Sequence, residues 1–272
     1  MGRSCAKTIT VKNRRVWDVK ERTIPLVAIL FFGGMLTSLL AAAFVSGANP
    51  NAPATITVNQ SSNRSQTLDS GIVVPAQAGN VTQLVINDTR TTLHWQGYYG
   101  RVTGRIALDD ARNMTLFDWQ LASPVGRIFA SNTSTVSWSN ITCVNFTSNI
   151  SGSGTRSKLN NSLLEDHFNI THTDTDAINQ TFNYTFGGSF MVGSTTIDGS
   201  YNCPLVYTYV NNLAQQSTFK EVLLTDNTSS VFTSLLERDS VGFDGSPYDF
   251  QMLVPENQAP GTTNFYFFVE LS

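Results

Sequence analysis

An all-β domain behind a single apolar helix is the fold class that the sequence predicts, and three observations predict it. Residues 24–45, IPLVAILFFGGMLTSLLAAAFV, carry no charge. From Gly71 onward, short runs rich in Val, Ile, Thr and aromatics recur between turn dipeptides. Beyond the apolar segment only 160–168, NNSLLEDHF, has a helical pattern. Many short strands and few helices point to antiparallel sheets packed face to face, a sandwich of one domain or of two packed sub-domains.

The apolar segment sets the topology. At about 1.5 Å per residue it spans roughly 33 Å as a helix, enough to cross a bilayer. The flank before it carries Arg3, Lys7, Lys12, Arg14, Arg15, Lys20 and Arg22 against Asp18 and Glu21, whereas the next charge after it is Arg64. Basic flanks stay cytoplasmic, so residues 1–22 read as a cytoplasmic tail, 23–46 as a transmembrane signal anchor, and everything beyond as extracellular. Pro25 falls in the first turn, where its missing N–H costs little. Gly34, Ser38, Ala42 and Ser46 recur every four residues, a spacing that lets helices pack closely in lipid. Ser46-Gly47-Ala48 also offers the small residues of a cleavage site after Ala48, but the apolar run exceeds a signal core of about 7–15 residues, which favours retention.

The exported part has ten Lys and Arg against 18 Asp and Glu, and no basic stripe, so nucleic acid is excluded as a partner. Cys5 lies in the tail as a plain thiol. Cys143 and Cys203 are the only external pair and are expected to form a disulfide in an oxidising compartment. The acceptor pattern Asn-x-Ser/Thr occurs at Asn59, Asn63, Asn80, Asn87, Asn113, Asn132, Asn140, Asn145, Asn149, Asn160, Asn169, Asn179, Asn183 and Asn227, 14 sequons among 23 asparagines. With 59 Ser and Thr in 272 residues, chance gives about five. The excess predicts a densely N-glycosylated ectodomain, with a sparsely decorated C-terminal half from Thr185 that suits assembly contacts.

In chain order, 47–70 is rich in Asn, Ser, Thr, Ala and Pro and reads as a stalk. Within it Thr55-Ile56-Thr57-Val58 alternates polar and apolar, and a free end produced by cleavage could add to a neighbour's sheet edge. Residues 71–272 read as the glycosylated β ectodomain, with strands expected at 72–74, 83–87, 102–108, 116–121, 126–130, 136–144, 181–186, 205–210, 219–224, 230–236, 248–254 and 264–271. The last of these, apolar on both faces, suits a central strand. A polar stretch at 145–176, with sequons of its own, reads as an insertion.

Chemistry is sparse. Trp95, Tyr98, Tyr99 and Trp119 are the candidate ligand-facing aromatics, since rings on a β surface can stack on sugars; one aromatic in two along a strand fits a core pattern better. His167 and His172, near Asp166, Asp174 and Asp176, are close in sequence, but five-residue spacing does not align two imidazoles on a helix. Asp239, Asp244 and Asp249 match no calcium-loop spacing, and Asp-Gly turn formation accounts for them. No Gly-x-Ser-x-Gly, His-Glu-x-x-His or phosphate-cradling loop is present, which argues against an enzyme, and no catalytic residue, metal or cofactor is expected.

The stretches HWQGYYGRVTG, FDW, GRIFAS, SWSNITC, YDFQMLVP and FYFFVEL resemble exported or membrane-anchored archaeal surface proteins with a β-rich ectodomain, over about two thirds of the exported part. The resemblance implies an archaeal cell-surface location and carries no site residues. The expected function is a cell-surface glycoprotein with a structural or interaction role, its partners membrane lipid and copies of itself or other surface proteins. The alternatives are a secreted fibre or pilus-like subunit joined by strand donation, a carbohydrate- or ligand-binding module and, less favoured, an exported hydrolase.

Overall fold

The structure, a computed structural model, describes residues 49–62, 73–88, 91–119, 125–146, 161–171, 173–215, 217–256 and 263–271. The apolar segment 24–45, the cytoplasmic tail, Cys5, Asn63, Asn149, Asn160 and His172 lie outside the described residues. Among the described residues no helix is long and apolar enough to cross a membrane.

The strands in order are β1 (Trp95–Gly100), β2 (Ile106–Asp109), β3 (Thr115–Trp119), β4 (Gly126–Ser131), β5 (Thr142–Cys143), β6 (Tyr184–Phe186), β7 (Ser189–Val192), β8 (Thr195–Asp198), β9 (Cys203–Tyr207), β10 (Tyr209–Val210), β11 (Leu213–Ala214), β12 (Lys220–Thr225), β13 (Ser230–Leu235), β14 (Ser240–Val241), β15 (Pro247–Tyr248), β16 (Phe250–Pro255) and β17 (Tyr266–Leu271). Among the described residues two short helices, α1 (Asn161–Phe168) and α2 (Ile178–Thr181), fall between β5 and β6. Every strand pairing among the described residues is antiparallel, and the domain is all-β as expected.

The middle layer is a seven-stranded sheet of order β17-β4-β13-β12-β9-β6, with β5 sharing one edge of β12 with β9. Its strands are apolar on both faces because both faces are covered. Ile128, Ala130, Val206, Leu223 and Phe232 point to one side, where Leu164 and Phe168 of α1, Ile178 of α2 and Met252 and Val254 of β16 complete a core cluster. Phe129, Leu205, Val222, Leu224, Val231 and Phe268 point to the other, closed by Phe190, Val192 and Ile197 of the β7–β8 hairpin and by Trp138. The two-stranded β1–β16 sheet thus packs face to face on the large sheet, the sandwich contact of the fold.

Cys143 and Cys203 are joined in a disulfide, and both are buried. Cys143 pairs with Leu224, and the β9–β12 register, continued by two residues, brings Cys203 beside the same leucine. The bond therefore ties together the two strands that divide one edge of β12 end to end.

Several boundaries differ from the sequence reading. Residues 73–88 form no strand despite their alternation, and Val73, Val81, Val85 and Ile86 stand exposed. The stretch LHWQGYYG, read as a row of rings, contains strand β1. The expected strand 136–144 is a 3-10 turn at Trp138–Asn140 followed by the two residues of β5, and 181–186 is the end of α2 followed by β6. The β7–β8 hairpin was not anticipated, although its two-residue turn, Gly193-Ser194 with Gly193 at φ 57°, is the pattern that signals one. Within 145–176 the described part supplies Leu164, Phe168 and Ile170 to the core.

The C-terminal strand is an edge strand, not the central one expected. Its outer side is met by the chain entering the domain: Asn51 donates to the Val269 carbonyl at 3.1 Å and accepts from the Val269 N–H at 2.8 Å. The antiparallel register would next place Pro53 opposite Phe267, and proline has no N–H to give, so the ladder stops after one bridge.

Candidate functional site

The four candidate aromatics separate into two environments. Trp95 and Tyr98 lie against the α-helical side of the core. The Trp95 ring packs 6.2 Å from Phe182 and its indole N–H donates to the Asp176 carbonyl at 2.8 Å, while Tyr98 meets Phe267 edge-on at 5.0 Å. Both are half-buried structural rings, and burial raises the Tyr98 phenol above its ordinary value. Tyr99 points to the opposite face of β1, where it meets Phe243 at 4.9 Å and Tyr248 at 4.8 Å, both edge-on, and accepts from the Gln60 amide at 3.0 Å. Trp119 is 50% exposed on the β2–β3 hairpin, paired only with Phe117 at 4.9 Å among the ring contacts of the described residues. The structure thus does not gather the four into one ligand face. The surface group of Tyr99, Phe243 and Tyr248 is one that sequence reading missed, because Phe243 and Tyr248 lie some 145 residues further along the chain.

The Asp-Gly loop beside that group uses its own acids. Asp244 accepts from the Ser246 N–H and from the Tyr248 hydroxyl, both at 2.9 Å, and these bonds hold its carboxyl below the ordinary range. Buried Asp249 accepts from the N–H groups of Val102 at 2.8 Å and Asp239 at 3.0 Å. These carboxylates fix backbone at the β1–β2 connection and the β13–β14 turn.

The one group of metal-ligating side chains that the described residues bring together is His94, Asp174 and Asp176, with ligand atoms within 4.8 Å of one another. It is not the His167 and His172 group that the sequence analysis weighed and set aside; His167 Nε2 lies beside the Asn132 amide. His94 Nδ1 is 3.1 Å from both oxygens of Asp176, and the Thr92 hydroxyl donates to the same carboxylate. Burial pushes the Asp176 carboxyl up, and the Thr92 bond, the His94 bond and the imidazole charge more than offset this, leaving it below its ordinary value. Asp174 Oδ2 accepts from the Thr171 N–H at 3.0 Å. Chemically the arrangement is a clasp between the lead-in to β1 and the turn before α2, and a divalent cation would compete with Thr92 and His94 for Asp176.

A cleft of about 410 Å³ opens between Asn132, Leu164, His167 and residues 228–230. Apart from Leu164 its lining residues are polar, and the sequon Asn132 stands on its wall. The described sequon asparagines, 11 of the 14, are all exposed or half-exposed, and none is buried. Compared with known proteins, the chain matches no family model, no curated protein and no solved structure.

Proposed function

We propose that the chain is a cell-surface glycoprotein with a structural or interaction role, its β domain displayed outside the membrane and its N-terminus cytoplasmic, held by segment 24–45. The observation that carries this reading is the buried Cys143–Cys203 disulfide inside a domain whose described sequon asparagines all reach the surface. A disulfide in the core and acceptors on the outside suit an oxidising, sugar-adding compartment. The basic flank and the length of the apolar segment supply the orientation. The resemblance to archaeal surface proteins agrees with the same location.

A second reading, a secreted subunit joined by strand donation, is favoured by the edge position of β17 and by the single bridge that Asn51 makes to it. N-terminal sequencing of the native protein separates the two. A native N-terminus upstream of residue 24, membrane retention after alkaline washing and glycan-bearing asparagines are expected for the anchored form; a mature start at Asn49 gives the fibre reading. Free thiols at Cys143 and Cys203 and bare asparagines would overturn both.

A further inference from the structure

The β2–β3 hairpin buries none of its side chains. Its register places Ile106 opposite Trp119 and Leu108 opposite Phe117, so these four share one face, and they are 40%, 50%, 50% and 54% exposed in the order Ile106, Leu108, Trp119, Phe117. An isolated two-stranded hairpin is marginal in water, and an apolar face on one asks for a cover. Its position narrows what that cover is. A Cβ on Gly104 would collide with the Leu271 side chain, and one on Gly126 with the Glu270 carbonyl, so both roots of the excursion through β2 and β3 sit at the C-terminal end of β17. The chain enters the domain at that same end: Asn51 bridges Val269 in antiparallel register, which sets Asn49 toward Leu271, and Asn49 also touches Gly193, whose N–H faces Glu270.

Only Ser46, Gly47 and Ala48 separate Asn49 from the apolar segment, a reach of at most about 14 Å. We infer that the Ile106, Leu108, Phe117 and Trp119 face is a lipid-contacting surface that rests in the outer interface of the same bilayer, an inference that rests on the anchored reading above. Indole and phenyl rings favour that depth. Arg105 pairs with Asp118 at 3.4 Å, partly neutralising the opposite face of the hairpin. The tip, with Asp110, Arg112 and the sequon Asn113, stays in water, so the hairpin lies along the surface on its flank.

The test reconstitutes the full chain in dioleoylphosphatidylcholine vesicles with acyl chains brominated at mid-depth, in a Trp17→Phe background that removes the tryptophan of the cytoplasmic flank. Quenching by bromolipid should fall about twofold or more on adding Trp119→Phe, a conservative change at an exposed site. Quenching that is indifferent to Trp119, in protein still sedimenting with vesicles after an alkaline wash, overturns the lipid contact and leaves the anchor standing. Protein released by that wash overturns the anchor and the inference with it. Trp119 shielded from aqueous acrylamide but not quenched by bromolipid, with a doubled particle mass, gives the face to a second copy and likewise overturns the proposal.

Discussion

Glu221 sits in the centre of the large sheet with no exposed surface, its Oε2 accepting from the Leu253 N–H at 2.8 Å and its Oε1 without a partner. Burial pushes its carboxyl well above the ordinary value, with the Leu253 N–H pulling partly back. Since the folded chain keeps a proton that the unfolded chain releases above about pH 4.3, its contribution is fully present below that pH and declines as pH rises toward the folded pKa. Glu221→Gln keeps an acceptor for Leu253 and removes the ionisation, so Tm should rise at pH 7 and change little at pH 4, about 2–4 °C for each kcal/mol recovered in a domain of this size. Melts at the two pH values check this, and equal shifts at both would refute it. Arg127 and Glu270 face each other at 3.6 Å with little exposure, and burial moves both away from their charged forms despite their mutual attraction. Arg127→Met alone should therefore cost about 3–5 kcal/mol, by stranding the Glu270 charge, whereas Arg127→Met with Glu270→Leu should recover most of it in denaturant titrations. Neither acid was visible in the sequence as buried: each sits in a run, KEVLL or FVEL, where a charge alternating with apolar residues reads as a solvent-facing position, and only the cover on both faces of the sheet reverses that.

At the scale of elements, the legible strands were those with an apolar-rich run that pairs along a neighbouring strand for five residues or more, such as β4, β12, β13, β16 and β17. Alternation misled where no partner strand exists, as at 73–88, because pairing is a tertiary property that periodicity cannot supply. The candidate site was less legible still: His94 meets Asp176 across some 80 residues, and nothing local marks the pair. The disulfide was legible by elimination, and its energetic role is clear from its place. It spans 60 residues and holds β5 and β9 on one edge of β12, so replacing both cysteines by Ala should cost about 2–5 kcal/mol, read as a lowered urea midpoint. A midpoint unchanged within error would mean that strand pairing alone fixes this edge.

Over the whole molecule, all the described sequon asparagines but Asn227 precede Thr185 in the chain, and so do most of the strongly exposed apolar side chains. Residues 73–88 show it most clearly. Val73 is 87%, Val81 102%, Val85 82% and Ile86 81% exposed, with no strand or helix to shelter them. Two sequons, Asn80 and Asn87, fall within the same sixteen residues, and both side chains are exposed. A solvated sugar at each position would keep such a segment from pairing with another chain, doing by bulk what charge does on many edge strands. Asn80→Gln with Asn87→Gln, made in the glycosylating host, should leave the unfolding free energy within about 0.5 kcal/mol of the parent, and Tm with it, because neither asparagine packs against the core. Light scattering on holding at 37 °C should rise well above the parent's. A lowered Tm would assign the two sites to folding instead, and unchanged scattering would show that the valines are covered by protein and not by sugar.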